Sequence, residues 1–184
     1  EEVTSIELGL KSTFNDGKFL FNIALFQADY DDIQKLALEE CEVNIDTCPS
    51  GRIQRLINAA KATIEGIEIE TKLSVTDQLS IEGSLGYTDA GFDEFLGFDA
   101  DGVRGYDPVT DPIAAAALKF ERVPELTYNI MANYFQPLEN GAELDFRISY
   151  SYTDDFYNNA LMTEAIKTDS YGLLDASVSY TFAQ

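Results

Sequence analysis

Residues 63 to 87 constrain the fold more than any other stretch, because they hold two strictly alternating runs joined by a short polar turn. In the first run Ile67, Ile69 and Leu73 point to one side, and glutamate and lysine side chains point to the other. The second run alternates in the same way after the turn at residues 75–78. A repeat of two residues is the period of a β-strand, so the stretch predicts an antiparallel hairpin with one apolar and one charged face.

The same alternation recurs along the chain and predicts an all-β protein, an antiparallel meander of about seven long strands. The strands are predicted at residues 3–14, 19–33, 59–74, 79–89, 124–135, 142–153 and 171–182. Short turns alternate with long connections, so all the turns should lie at one end of the sheet and all the long connections at the other. In the first long connection, residues 34–58, the segment Leu36 to Glu40 is compatible with a short helix.

The composition excludes several classes of function. The 184-residue chain has 12 Lys and Arg against 33 Asp and Glu, a net charge of −21, which argues against nucleic acid as a partner. It contains no histidine, the commonest general base and metal ligand. Acid pairs such as Glu68 and Glu70 resemble a glycosidase dyad, but such pairs arise by chance among so many acids. We therefore predict no enzyme activity, no cofactor and no metal site.

Alternating strands fit either a soluble or secreted β-sandwich used for binding or adhesion, or a transmembrane β-barrel. The predicted strands run about 10–14 residues, which exceeds the usual ~5–6 and suffices for the ~9–11 tilted residues that cross a bilayer. The charges of each strand share one face, so none would contact hydrocarbon. The exceptions are Lys61 and Glu65, which a bulge near Ile64 or an exit from the membrane would accommodate. These features favour the barrel.

Tyrosine and phenylalanine recur near the predicted strand ends, as the aromatic girdles of membrane barrels require. The predicted girdle residues are Phe14, Phe19, Tyr30, Tyr87, Tyr134, Tyr150, Tyr152, Tyr171, Tyr180 and Phe182. Seven strands do not close an even-numbered bacterial barrel, so we expect a section of a larger barrel wall with two unpaired edge strands. The sequence also begins directly in a strand pattern without an initiator methionine or signal peptide, so we expect a piece of a longer protein.

Several short motifs stand in order along the chain. The first hairpin carries Glu-Leu-Gly-Leu-Lys at residues 7–11 and, after an Asn-Asp-Gly turn, Phe-Gln-Ala-Asp-Tyr-Asp-Asp-Ile-Gln at residues 26–34. Further motifs follow at residues 66–70, 83–90, 123–125 and 171–176. Together they cover nearly the whole chain, and in type and order they resemble the motifs of TonB-dependent outer-membrane receptors.

The resemblance implies a 22-stranded barrel in the bacterial outer membrane, filled by an N-terminal plug domain. It implies active transport of a siderophore complex, cobalamin, haem or an oligosaccharide. The implied partners are outer-membrane lipid and lipopolysaccharide, the small-molecule nutrient or chelate, and an inner-membrane energy-coupling protein that acts through the plug. The strand at residues 171–182 resembles the third from last, so the plug and the last two strands are expected to lie outside this chain.

The long connections supply candidate ligand contacts, because aromatic and arginine side chains hold sugars and chelates by stacking and charge pairing. The same aromatic residues could equally pack the loops against one another. The candidates are Phe92, Phe95, Phe98, Arg104, Tyr106, Phe156 and Tyr157. The acidic segment Phe98 to Asp107 lacks the ligand order and closing glutamate of an EF-hand loop, so we predict a solvated loop rather than a calcium site.

Cys41 and Cys48 bracket six residues in a connection predicted to be extracellular, where oxidation is expected. We predict that they form a disulfide that staples the loop, rather than free or metal-binding thiols. Thiol titration of the native protein should then detect no free thiol. Two reactive thiols per chain would contradict the bridge.

Overall fold

The computed structural model describes residues 1–40, 44, 49, 52–95, 119–159, 162 and 164–182, with only the backbone for 35–40, 52–57, 59 and 95. The described residues form a seven-stranded antiparallel sheet whose neighbours follow chain order, so the predicted meander is confirmed. The strands are β1 (Glu2–Phe14), β2 (Phe19–Glu40), β3 (Arg52–Ser74), β4 (Leu79–Phe95), β5 (Leu126–Pro137), β6 (Glu143–Thr153) and β7 (Tyr171–Thr181). β1 and β7 lie at the two edges.

The three short turns all lie at one end of the sheet, as predicted. In the first, residues 15–17 have φ angles of 52°, 52° and 89°, left-handed conformations that Asn, Asp and Gly tolerate best. In the second, the Thr76 hydroxyl oxygen accepts hydrogen bonds from the backbone N–H groups of Gln78 and Leu79. In the third, Gly141 has a φ of 79°. Each turn therefore has a local chemical reason for its tightness.

β2 and β3 extend further than the alternation predicts. They remain paired up to Glu40 and Arg52, so most of the predicted connection at residues 34–58 is strand. The short helix considered for Leu36 to Glu40 is wrong, because ladder pairing overrides the local helix preference of these residues. β4 likewise continues to Phe95. These extensions of β2, β3 and β4 lie beyond the membrane. Without lipid on one side, nothing requires the two-residue alternation by which a strand is recognised in a sequence.

The register places the apolar side chains of neighbouring strands on one face and the charged ones on the other. Leu73 lies opposite Ile81, and Lys72 lies opposite Glu82. The apolar face is open: Ile6 and Leu174 expose 72% and 69% of their surface. A soluble sandwich would cover this face with a second sheet, whereas the described strands form one layer. Contact with lipid explains the exposure.

Aromatic side chains form two belts on this apolar face. At the turn end, Phe14 stacks on Phe19 with ring centroids 5.8 Å apart, and Tyr134 lies 6.2 Å from Phe146. At the loop end, Tyr128 stacks on Tyr152 at 5.1 Å. On β5, the path from Tyr134 to Tyr128 is about 20 Å along the strand at ~3.4 Å per residue. This is close to the ~25 Å band of membrane barrels.

Two of the predicted girdle residues belong to the opposite face. Tyr30 lies opposite Ala62 and packs against a buried cluster on the charged side of the sheet. Tyr171 lies opposite Thr153, in register with the polar side chains of β6. Their positions near strand ends suggested a girdle, but the register decides the face.

Above the loop-end belt the outward face becomes polar. Gln27, Glu65 and Asp89 occupy the next row. Two rows further, beyond Thr63, the Lys61 Nζ lies 3.8 Å from an Asp31 carboxylate oxygen and 3.5 Å from one of Glu94. The two charged residues of β3 that broke the pattern therefore stand above the apolar band, and Lys61 has carboxylate partners. The ladder between β3 and β4 has its bulge at Lys61 and Ala62 rather than near Ile64, and the extra residue, Asp93, is on β4.

At the same level along the strands, the inward face changes from charged to apolar. Ile33, Ala60, Ala62 and Phe92 form a buried cluster there, against which Tyr30 and Phe120 pack. Ala62 and Phe92 expose only 1% and 2% of their surface. The small cluster anchors the upper part of β2, β3 and β4.

Among the described residues, no helix is long and apolar enough to cross a membrane. A three-residue 3₁₀ turn, Glu164–Ile166, lies in the connection between β6 and β7.

Close packing at Gly66 gives a stability prediction. A Cβ atom at this position would collide with the Tyr87 carbonyl oxygen and with the Phe26 ring, whereas a Cβ at Gly91 would meet nothing within 4 Å. Gly66→Ala should therefore lower the free energy of unfolding by about 1–3 kcal/mol, the usual cost of overpacking. The matched control Gly91→Ala should change it by less than about 0.5 kcal/mol. Denaturant unfolding of the receptor in detergent measures both, and equal losses would contradict the packing argument.

Candidate functional site

The charged face of the sheet forms the inner surface of the wall. It carries Glu7, Lys11, Glu68, Glu70, Lys72, Glu82, Glu143, Asp145, Arg147 and Asp175, all predicted to share this face. Lys72 forms an ion pair with Glu82 at 2.8 Å between β3 and β4. Asn22 donates a hydrogen bond to Glu70 at 3.3 Å between β2 and β3. Such a surface needs water or polar partners in front of it.

A cleft of about 260 Å³ opens at the loop end of this inner face. β4 forms its floor, and the connections that precede β5 and β7 form its sides. We call it the mouth cleft, and its lining residues are Thr88, Ala90, Lys119, Phe120, Val123, Glu125, Asp154, Asp155, Phe156, Tyr157 and Lys167.

The connection between β6 and β7 is held by hydrogen bonds within itself. Phe156 and Thr168 form an antiparallel bridge, with backbone hydrogen bonds of 3.0 and 2.9 Å. The Tyr157 hydroxyl donates to Glu164 at 2.8 Å. The backbone N–H of Arg122 donates to the Tyr157 carbonyl oxygen at 2.8 Å and joins the two sides of the cleft. These contacts fix the Tyr157 ring beside the cleft.

Lys119 in the cleft is paired with Glu125. Its Nζ lies 2.6 Å from Glu125 Oε1. The hydrogen bond to Glu125 raises the pKa of Lys119, although partial burial acts against it. The ammonium group therefore stays charged and is already occupied by a carboxylate.

Lys167, on the other side of the mouth cleft, is also paired with a carboxylate. Its Nζ lies 2.7 Å from Asp155 and 5.0 Å from the centre of the Tyr157 ring. The hydrogen bond to Asp155 raises the pKa of Lys167, and the hydrogen bond to Glu164 raises the pKa of Tyr157. At neutral pH the cleft thus presents a neutral phenol and two paired ammonium groups.

The structure brings two of the predicted ligand contacts, Phe156 and Tyr157, to the mouth cleft. Phe92 is instead buried and stacks on Phe120 with ring centroids 4.5 Å apart, the loop-packing arrangement that the sequence left open. Phe95 ends β4, where the backbone alone is described. The role of these four residues in ligand binding stays a prediction.

The remaining candidates lie outside the described residues. These are Phe98, Arg104 and Tyr106, the acidic segment at residues 98–107, and the cysteines Cys41 and Cys48. Within the part of the chain that is described, no group of three or more Cys, Asp or Glu side chains is arranged to hold a metal ion.

Sequence reasoning did not identify Lys119, Phe120 and Lys167. They stand in connections without a periodic pattern, and nothing in their local sequence distinguishes them. Only the folding of the two connections towards β4 brings them to one cleft.

Several solved structures of similar fold are siderophore or ferric-chelate receptors. The ferric yersiniabactin uptake receptor of Yersinia pestis matches 96% of this chain with 18% identity and a TM-score of 0.64, over 22% of its own length. The siderophore receptor PiuA of Acinetobacter baumannii matches 97% with 18% identity and a TM-score of 0.66, over 22% of its length. The ferric preacinetobactin receptor of the same organism matches 98% with 16% identity and a TM-score of 0.65, over 23%. The chain therefore spans less than a quarter of each receptor.

The family model described as TonB dependent receptor-like, beta-barrel matches residues 1–184. A β-barrel of this family agrees with the observed meander, the lipid-facing apolar band and the charged inner face. The predicted family, fold class and membrane setting are thereby confirmed. The chain belongs to the TonB-dependent receptor family and forms part of its β-barrel in the bacterial outer membrane.

Proposed function

We propose that this chain forms part of the wall and mouth of a receptor that takes up an iron–siderophore complex. One observation carries the proposal: an apolar band faces lipid, while the opposite face of the same strands carries charged rows that lead to the mouth cleft. Such a wall separates hydrocarbon from an aqueous interior. The solved structures of similar fold are receptors for ferric chelates, which supports a siderophore over cobalamin, haem or an oligosaccharide.

In this proposal the mouth cleft contributes part of the first binding surface. The Tyr157 ring is fixed by its hydrogen bond to Glu164 and lies beside the Lys167 ammonium group. A fixed ring loses little conformational freedom when a ligand packs against it. Phe156 and Phe120 add apolar surface to the same cleft. Together they favour a compact ligand with both apolar and hydrogen-bonding groups.

Transport past this surface needs parts of the receptor beyond the described wall. We propose that a plug domain closes the barrel and that an inner-membrane energy-coupling protein acts on it. Outer-membrane lipid and lipopolysaccharide would contact the apolar band and the polar wall above it. The sheet itself supplies part of a rigid wall, since its ladders are continuous between the two aromatic belts.

An uptake experiment tests the function. Cells that carry the complete receptor should accumulate radioactive iron from a siderophore complex, and deletion of the receptor should abolish this uptake. A protonophore should stop uptake but leave binding to the cell surface intact, because only transport requires energy. Uptake that is unchanged by the deletion would contradict the proposal.

Tyr157 tests the place of the mouth cleft in binding. Loss of the ring in Tyr157→Ala should weaken binding of the iron chelate about three- to tenfold, in line with ~0.5–1.5 kcal/mol for an aromatic contact. Tyr157→Phe keeps the ring and removes only the hydrogen bond to Glu164, so it should bind nearly as well as the natural protein. Equilibrium titration of the purified receptor measures both. Equal losses in the two variants would assign the effect to loop structure rather than to ligand contact.

A further inference from the structure

We infer that a cleft around Arg147, at the turn end of the inner face, is a docking site for the plug domain, and that Arg147 binds a carboxylate of the plug there. The inference rests on the plug that the proposed function requires, and it adds one contact that holds the plug inside the barrel. It does not depend on which nutrient the receptor carries.

The cleft has a volume of about 580 Å³ and is lined by strands β3 to β7 and by the turn between β3 and β4. The register places short or uncharged side chains on both sides of Arg147. The inward row at this level consists of Ser74, Ser80, Asn133, Arg147 and Ser177. Serine side chains leave open space above the sheet and offer hydroxyl groups to whatever enters it. The cleft therefore has room for a short peptide segment.

Arg147 is the cationic residue of the cleft lining. Its Nε donates a hydrogen bond to Asn133 Oδ1 at 2.9 Å, which holds the guanidinium group towards β5. The nearest inward carboxylates by register are Asp145 on the same strand and Asp175 on β7. The ion pairs among the described residues are made by other side chains, so neither of these carboxylates binds Arg147.

A carboxylate is the partner that this geometry fits best. Nε is engaged by Asn133, so the two Nη groups at the end of the guanidinium are left to donate. Two parallel N–H groups of a guanidinium match the two oxygens of a carboxylate, and this bidentate contact is stronger than a single hydrogen bond. Arg147 therefore presents a preformed fork to the inside of the barrel.

The plug domain is the occupant that the position of the cleft favours. The cleft faces the inside of the barrel, which the plug fills in the proposed function. This sheet matches less than a quarter of each similar receptor, and the plug is a further part of the complete protein. A carboxylate on the plug has a high effective concentration at Arg147. A free anion does not, and Asp77 and Asp145 in the lining repel it.

Photo-cross-linking in the complete receptor tests the occupant. Benzoylphenylalanine in place of Ser177, which lines the cleft opposite Arg147, should cross-link to a plug peptide that contains Asp or Glu, as identified by mass spectrometry. The same probe in place of Glu139, in the turn between β5 and β6 and outside the cleft, is the matched control and should give no cross-link to the plug. A probe at position 177 that labels only barrel strands, or nothing, would overturn the inference.

Charge variants test the role of Arg147 itself. Hydrogen exchange of the plug peptides, measured by mass spectrometry on the complete receptor in detergent, should be about two- to tenfold faster in Arg147→Gln, because an Arg–carboxylate contact is lost. Arg147→Glu should exchange faster still, since the reversed charge repels the carboxylate. Lys11→Gln removes a cation from the same inward face, opposite Asn22 and outside the cleft, and should leave the exchange unchanged.

Plug exchange in Arg147→Gln at the rate of the natural protein would overturn the docking role. Equal acceleration in Lys11→Gln would assign the effect to the general charge of the wall and overturn it as well. Neither measurement uses a siderophore. Both can therefore fail while iron uptake by the receptor stands, and a receptor that carries no siderophore can still show the cross-link.

Discussion

A sheet that crosses a membrane must pair its backbone N–H and C=O groups within the protein, because hydrocarbon offers them no partner. Among the described residues, six ladders meet that requirement between the seven strands. β1 and β7 are the edges of the sheet, and their outer backbone groups require further strands of the same barrel. The same requirement makes the wall one layer thick. One face of each strand therefore contacts lipid, and the other contacts water.

The inversion of the two faces marks where that constraint ends. Below the loop-end aromatic belt, Ile67 and Leu85 face outward and Glu68 faces inward. Above it, Glu65 and Asp89 face outward, while Ala62 and Phe92 are buried on the inner side. Water on the outside allows charged residues there, and the folded connections on the inside allow an apolar cluster. The change in side-chain type along β3 and β4 therefore marks the position of the membrane surface.

Function depends on the same division of faces. A membrane barrel needs an inner surface that water wets, and the charged rows supply it. Lys119 and Lys167 both stand beside carboxylates, so the two ammonium groups of the mouth cleft are already paired.

The sequence by itself determined the strands inside the membrane, their order and the end at which the turns lie. It could do so because lipid and water on opposite faces impose a two-residue period, and because Asn-Asp-Gly at residues 15–17 adopts a tight turn by its own conformational preference. Only the tertiary structure decided the upper parts of β2, β3 and β4, where that period is not imposed. It also decided that Tyr30 packs inward against the buried cluster, since the register of β2 against β3 fixes the face of a residue. The mouth cleft belongs to this second group, because its lysines and aromatic rings come from separate connections that meet only in the folded chain.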